Sequence, residues 1–241
     1  MLMKIWAISD PHFSFGCNKP MDIFGGNWEN HAEKFESNWN KVVGDDDIVL
    51  VAGDISWAMK LEDARVDLNK LGELNGKKII IKGNHEYWWK SISSVRSILP
   101  ESVLALQNDS LKIGKFIFCG TRGWNVEEPN KPYTEDDEKI YKRELERLKL
   151  TLKSMMVQRE EGDKVIAMIH FPPFNTKIED SGFTQLFEEY KVDKVVYGHI
   201  HESSGKMVRK IVKNGVEYYL TSCDYLEMKP LLLIEDNVGF C

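Results

Sequence analysis

The chain has 241 residues, of which 42% are hydrophobic and 29% are charged, and its formal net charge is −6. This length allows one full hydrophobic core, so we expect a single domain over residues 1–241. The acidic balance argues against a broad basic face for nucleic-acid backbones, although it leaves room for a local basic groove. No apolar run approaches the roughly 20 residues that a membrane-spanning helix needs.

The N-terminus and the cysteines provide evidence about the cellular compartment of the protein. The apolar stretch at residues 4–9 is short, runs directly into Asp10 and lacks a small-residue cleavage site, so we do not expect a signal peptide. The cysteines are far apart and form no C-x-x-C pair, which argues against a zinc ribbon and a disulfide framework. We therefore expect a cytoplasmic protein. The four cysteines are Cys17, Cys119, Cys223 and Cys241.

Short apolar, β-branched runs alternate with segments of helical periodicity along most of the chain. The runs are continuous, which is typical of strands buried on both faces. The predicted strands are residues 4–9, 48–52, 78–81, 116–119, 165–169 and 194–197. The predicted helices are residues 28–43, 61–71, 87–98 and 135 to about 159. Thr134, with Asp137 three residues later, is a weak capping signal for the last of these helices.

The pattern changes after Gly205. Residues 207–213, 217–221 and 231–235 are predicted strands, and Asn214-Gly215 supplies a hairpin turn between the first two. Strand and helix alternate before this point, so the sequence predicts an α/β fold in which helices flank two sheets.

Two segments, residues 13–27 and 122–133, are rich in Gly, Pro, Asn and aromatic residues and lack periodicity. Loops of this length are more often functional than not. A role near a substrate and a simple surface excursion both fit the first segment.

Polar side chains that bind metals follow five of the predicted strands. Because the carboxyl ends of strands in open α/β sheets form sites at one edge, we expect these side chains to converge. The sixth histidine, His31, falls in a polar helical stretch, and we expect it at the surface. The five motifs are Asp10-Pro11-His12, Gly53-Asp54, Gly83-Asn84-His85-Glu86, His170-Phe171-Pro172-Pro173 and Gly198-His199-Ile200-His201.

The spacing within these motifs predicts two metal ions. Residues two apart at a strand end point the same way, so Asp10 and His12 can bind one ion. His199 and His201 share a face but stand more than about 6 Å apart along the chain, by the usual rise per residue. Such a pair suits two ions about 3.5–4 Å apart, with one histidine for each. Asp54 has two carboxylate oxygens and can bridge both ions.

The charges and ligand types favour phosphate chemistry. Two divalent ions carry about four positive charges, of which Asp10, Asp54 and a bridging hydroxide remove three, so the site stays positive and attracts phosphate. Four imidazoles without a thiolate suit Mn, Fe, Co, Ni or Zn and disfavour Ca and Mg. The sequence therefore predicts a hydrolase that cleaves a phosphomonoester or phosphodiester by attack of a hydroxide held between two transition-metal ions.

The motif order D-x-H, G-D, G-N-H-E, H and G-H-x-H over residues 10–201 resembles that of the calcineurin-like metallophosphoesterase superfamily. The resemblance implies a four-layer α/β/β/α sandwich, with a dinuclear metal site at the strand C-terminal ends. It implies that His85 contacts the phosphate and protonates the leaving oxygen without binding metal. The implied ligands are Asp10, His12 and His201 for one ion, Asn84, His170 and His199 for the other, and Asp54 between them.

One departure from the superfamily narrows the function. Its protein Ser/Thr phosphatases continue the second motif as G-D-x-x-D-R-G, whereas residues 53–59 here lack the second Asp and the Arg. We therefore expect the small bacterial-type phosphohydrolase branch and a small phosphoester substrate. Either Glu86 or Asp63 could be the acidic residue that orients His85, and the sequence does not decide between them. Arg122 is the strongest candidate for an added phosphate contact, although a surface arginine is the simpler interpretation.

Two alternative functions remain. A nuclease would need a basic groove, which the acidic balance modestly disfavours. A non-catalytic protein-binding scaffold of the same fold would be expected to have lost its metal-binding residues. Here all seven implied metal-binding residues and His85 are present.

Overall fold

The computed structural model describes residues 2–201, 205 and 208–237, and within them eleven strands and five α-helices. Cys241 and Met207, which begins one predicted strand, lie outside the described residues. The helices are α1 His31–Val42, α2 Leu61–Glu73, α3 Ile92–Arg96, α4 Glu135–Gln158 and α5 Gly182–Glu189. The strands are β1 Leu2–Ile8, β2 Ile48–Val51, β3 Lys77–Ile80, β4 Val103–Ala105, β5 Ser110–Ile113, β6 Phe116–Thr121, β7 Lys164–Ile169, β8 Lys194–Tyr197, β9 Lys210–Lys213, β10 Val216–Leu220 and β11 Leu231–Asn237.

The strands form two sheets that are mainly parallel. The first has the order β11-β1-β2-β3-β4, and the second has the order β5-β6-β7-β8-β10-β9. Antiparallel strands occur only at the edges of the two described sheets, where β11, β5 and β9 pair with their neighbours. Since the inner strands of each sheet run parallel, their carboxyl ends share one edge.

Three buried clusters separate four layers, which confirms the predicted α/β/β/α sandwich. Alternate residues of β1 face opposite sides, so Ile5 and Ala7 lie in the core between the sheets and Trp6 and Ile8 face α1 and α2. On the far side, α4 and α5 pack against the second sheet around Leu148 and Phe183. Both faces of each sheet are therefore covered, as the continuous apolar runs predicted.

Most predicted elements match, and the differences have local causes. The predicted helix over residues 87–98 is wrong in its first part, because residues 85–90 form tight turns around buried Trp88 and Trp89 and only α3 is helical. Three short elements, β4, β5 and α5, were not predicted. The predicted cap of α4 is confirmed, since Thr134 and Asp137 form a capping box. Among the described residues, none of the helices combines the length and apolar character needed to cross a bilayer.

Candidate metal centre

All five predicted motifs lie at the edge where the carboxyl ends of the two sheets meet. Asp10, Asp54 and Asn84 follow β1, β2 and β3 of the first sheet, and His170 and His199 follow β7 and β8 of the second. The sheets are joined here by backbone hydrogen bonds, because the amide of Ser9 donates to the carbonyl of Thr221 at 2.7 Å. The side chains form two groups that could each hold an ion. They are Asp10, His12 and His201 in one group and Asp54, His170 and His199 in the other.

The first group has the separations expected of ligands to a shared ion. The Nε2 atoms of His12 and His201 are 3.4 Å apart, and His201 Nε2 is 3.9 Å from Asp10 Oδ1. Two nitrogen ligands at about 2.1 Å from one tetrahedral ion stand about 3.4 Å apart. The converging imidazole nitrogens therefore fit a transition-metal ion.

The second group is assembled around the amide of Asn84. Its Oδ1 lies 2.7 Å from His170 Nε2 and 2.8 Å from His199 Nδ1. Asp54 Oδ2 lies 3.4 Å from His170 Nε2 and 3.8 Å from His12 Nε2, which belongs to the first group. Asp54 is thus positioned between the two groups.

Hydrogen bonds to neighbouring groups fix the orientation of the imidazoles. His170 donates from Nδ1 to the carbonyl of Ala52 at 2.9 Å, which leaves its Nε2 directed into the centre. His201 donates from Nδ1 to the carboxylate of Asp224 at 3.1 Å. Asp224 belongs to none of the five motifs and was not predicted from the sequence. Its signal is an acidic residue three positions beyond the predicted strand at residues 217–221.

The backbone at the centre adopts unusual conformations. Asp10, His12, Asp54 and His199 have φ values of 58°, 47°, 52° and 70°, in the left-handed region that side chains other than glycine rarely occupy. Such conformations cost of order 1–3 kcal/mol each and cluster at functional sites. Glycine is also required, because a Cβ at Gly83 would lie 2.2 Å from Asp54 Oδ1.

The two buried carboxylates draw positive charge into the centre. Burial raises the pKa of Asp10. Burial would also raise the pKa of Asp54, but the charge and hydrogen bond of His170 lower it. Despite burial, Asp54 and Asp10 raise the pKa of His170 to about 9, whereas burial and His170 lower the pKa of His199 to about 3. An environment that stabilises a cation among converging acceptors fits metal binding.

His85 lies at the rim of the centre. Its amide donates to Asp54 Oδ1 at 2.9 Å, its Nε2 is 3.9 Å from Asp54 Oδ2, and its side chain is 31% exposed. Its buried Nδ1 has no hydrogen-bond partner among the described residues. Glu86, one candidate for its acidic partner, instead accepts hydrogen bonds from the amides of Gly83 and Ile55, at 2.5 Å each. Nor does any described hydrogen bond or ion pair join Asp63 to His85.

Two other polar residues differ from expectation, and a third was not anticipated. His31 is buried, not at the surface, because its Nε2 donates to the carbonyl of Pro11 at 3.0 Å. Arg122 directs its guanidinium to buried Glu144 at 3.0 Å, so it is not a phosphate contact in this arrangement. Lys19, which the sequence did not single out, places Nζ 3.3 Å from the ring centroid of Trp57 beside the centre.

Both long loops border the centre. A cavity of about 500 Å³ is lined by His12, His85 and His201 together with part of the segment 13–27. A second cavity of about 300 Å³ is lined by His199 and by part of the segment 122–133. The two segments therefore shape the space in which a substrate would bind.

Comparisons with known proteins agree with this architecture. The model of the calcineurin-like phosphoesterase family matches residues 3–203. An uncharacterized protein of Methanocaldococcus jannaschii is 36% identical over 90 residues, which are 35% of this chain and 48% of that protein. The chain thus matches about half the length of this relative.

Solved structures show the same fold at low identity. The phosphopantetheinyl hydrolase of Mycobacterium tuberculosis is 16% identical with a TM-score of 0.59, covering 100% of this chain and 99% of that one. A protein of Thermus thermophilus is 12% identical with a TM-score of 0.57, covering 97% and 99%.

Proposed function

Because the chain belongs to the calcineurin-like phosphoesterase family, we propose that it is a dinuclear metal-dependent hydrolase of small phosphomonoesters or phosphodiesters. The observation that carries this proposal is the meeting of two groups of metal-ligand side chains, with Asp54 between them. We propose one catalytic domain over residues 1–241. The cytoplasmic location remains a prediction from the sequence.

The donor set fits two divalent transition-metal ions. One ion would be held by Asp10, His12 and His201, the other by Asn84, His170 and His199, and both by Asp54. When bound, such ions stabilise the charge on phosphoryl oxygens and lower the pKa of an attacking water. The candidate metals are Mn, Fe, Zn, Co and Ni, because these ions suit imidazole and carboxylate ligands.

The surrounding residues would keep this ligand set in place. Ala52 and Asp224 accept hydrogen bonds from His170 and His201, and these bonds fix which imidazole nitrogen faces the centre. The amide of His199 donates to both carboxylate oxygens of Asp10 at 3.1 Å each. These bonds hold the Asp10 carboxylate against the backbone of the His199 motif. These contacts reduce the reorganisation that ion and substrate binding would require.

His85 would protonate the leaving oxygen. Its position at the rim, close to but outside the ligand groups, supports contact with a bound phosphate. Burial lowers its pKa, so the proton would be taken up together with the negatively charged phosphate, whose charge favours the imidazolium. General acid catalysis of this kind typically contributes about 10² to 10⁴-fold.

The cavities favour small esters over nucleic acid. Among the described residues that line the two cavities there is no Lys or Arg, whereas a nuclease groove needs several to track a backbone. One cavity is lined by His12 and His201 and the other by His199, which supports a slight preference for diesters, whose phosphate carries two substituents. A nuclease is therefore the second candidate.

The test is metal content combined with activity. Protein purified without chelator, then reconstituted with Mn²⁺, should bind two ions per chain and hydrolyse bis-p-nitrophenyl phosphate or p-nitrophenyl phosphate. The Asp54→Ala variant should lose occupancy at both positions, whereas Asp10→Ala should mainly lose one. Two bound ions without hydrolysis of any small ester would favour the scaffold, and one ion or none would contradict the dinuclear assignment.

A further inference from the structure

The larger cavity beside the centre has an apolar outer wall. Its volume of about 500 Å³ lies within the range of pockets that bind small organic ligands. Next to the histidines, the cavity is lined by the side chains of Met21, Phe24, Trp28 and Trp57, which we call the aromatic wall. A phosphate group would interact with the histidines and leave this wall uncovered, apart from the ring of Trp57, over which Lys19 Nζ lies at 3.3 Å from the centroid.

The inner part of the aromatic wall is held by the centre itself. The ring of Trp57 stacks on His12, with centroids 4.7 Å apart and an interplanar angle of 20°, and its Nε1 lies 3.1 Å from Met21 Sδ. Trp28 packs edge-on against His201 at 5.4 Å. These side chains are therefore ordered before a ligand binds, which lowers the entropic cost of binding.

The outer part of the wall is exposed. Phe24 has 64% of its surface accessible, although it is a large apolar side chain next to a cavity. It ends a short 3-10 helix, Asp22–Phe24, that leads into Gly25 and Gly26. Because Phe24 lines the cavity, a ligand bound there would remove part of this apolar surface from water, which favours binding.

The position of His85 decides which part of the ligand faces this wall. His85 lines the same cavity, and its ring centroid is 4.3 Å from that of Trp57. In the hydrolysis, the oxygen of water bonds to phosphorus and gives up one proton to solvent, the ester P–O bond breaks, and the leaving oxygen takes a proton from His85. The group on that oxygen must then lie on the His85 side, against the aromatic wall.

We propose that the substrate is a phosphoester whose leaving alcohol carries a large apolar or aromatic group, and that this group binds against the aromatic wall. This inference rests on the proposed function and adds the chemical class of the leaving group. The second cavity contains polar side chains, including Asn125, Glu128 and Thr176, and would receive the part of the substrate that stays on phosphorus.

The experiment compares esters that differ in the leaving group but not in its intrinsic reactivity. Ethyl phosphate and 2-(2-naphthyl)ethyl phosphate both release primary alcohols, so a difference in kcat/KM reports binding of the ring in the transition state. With Mn²⁺-reconstituted protein we expect kcat/KM to be about 10- to 100-fold higher for the naphthyl ester. Calorimetric binding of the corresponding non-hydrolysable phosphonates should show the same order.

Substitutions at two adjacent residues test whether the preference for the naphthyl ester comes from the aromatic wall. Phe24→Ala should reduce the preference for the naphthyl ester by about 3- to 10-fold. Ile23→Ala is the matched control, because Ile23 is 76% exposed in the same 3-10 helix and is not among the described residues that line the cavity. It should keep the wild-type preference.

The outcomes separate this inference from the proposed function. Equal kcat/KM for the two esters, or equal effects of the two variants, would overturn the inference and leave the phosphoesterase assignment intact. If the naphthyl phosphonate binds in a Phe24-dependent manner but the metal-loaded protein hydrolyses neither ester, the proposed function fails and the aromatic wall remains a ligand site.

Discussion

His12 and His201 are 189 positions apart in the sequence, yet their Nε2 atoms are 3.4 Å apart. They belong to different sheets, so their approach depends on the junction at Ser9, whose amide donates to Thr221 and whose carbonyl accepts from the amide of Cys223. The same junction brings Asp224 to the far side of His201, with its Oδ1 at 3.1 Å from Nδ1. One pair of proposed metal ligands and the carboxylate that orients it therefore depend on how the two sheets are joined.

The first prediction concerns Asp224. Asp224→Asn should weaken binding of one of the two ions by about 10- to 100-fold, because His201 loses the carboxylate that orients it and raises its basicity. The measurement is calorimetric titration of metal-free protein with Mn²⁺. Asp109→Asn is the control, since Asp109 pairs with Arg96 and takes no part in the centre. Equal loss of affinity at both sites, or none, would contradict this role.

The second prediction separates chemistry from metal binding. His85→Asn should keep two ions and the fold while lowering kcat by about 10² to 10⁴-fold, as expected for loss of a general acid. The loss should be largest for alkyl esters and small for p-nitrophenyl esters, whose leaving group needs little protonation. Metal content and kcat on both kinds of ester are the measurements. A variant that loses metal would show that His85 is a ligand.

The third prediction concerns Lys19. Its ammonium lies over Trp57, next to His85, and would attract a phosphate entering the cavity. Lys19→Met should lower kcat/KM about 2- to 10-fold at low ionic strength, and the difference should shrink with added salt because exposed charges are screened. Lys34→Met, an exposed lysine on α1, is the control. A decrease that is independent of salt would indicate a packing role instead.

The sequence predicted that the five motifs converge, because each motif follows a strand whose apolar run is continuous. Asp10, Asp54 and His170 each come within two or three residues of a strand end, and parallel strands bring such positions together. Asp224 and Lys19 were not identified, since their roles arise only when distant segments pack together. His31 was misplaced because one hydrogen bond to Pro11 outweighs the polar character of its neighbours in α1.

The fourth prediction concerns stability at the opposite end of the strands, at Lys78. This lysine is fully buried, and its Nζ donates to the carbonyls of Gly72, Leu74 and Gly76 at 3.1, 2.6 and 2.9 Å. These carbonyls lie at the end of α2 and just beyond it, where the helix supplies no internal donors. Lys78→Met should lower the free energy of unfolding by about 1–3 kcal/mol, because the carbonyls of Leu74 and Gly76 lose this donor, whereas that of Gly72 keeps the Ser102 hydroxyl. Urea unfolding measures this change.

The same residue predicts a dependence on pH. Burial lowers the pKa of Lys78 from 10.5 to about 8 in the folded protein. Between these two values the unfolded chain binds more protons than the folded chain at this position, so the contribution of Lys78 to stability rises as the pH rises from about 8 to about 10.5. The slope is at most about 1.4 kcal/mol per pH unit. The difference in unfolding free energy between the wild-type protein and Lys78→Met should therefore grow over this window and be constant below pH 8. Lys77→Met, at the exposed neighbouring position on β3, should follow the wild type throughout. A difference that stays constant from pH 7 to pH 10 would show that burial does not depress the pKa of Lys78.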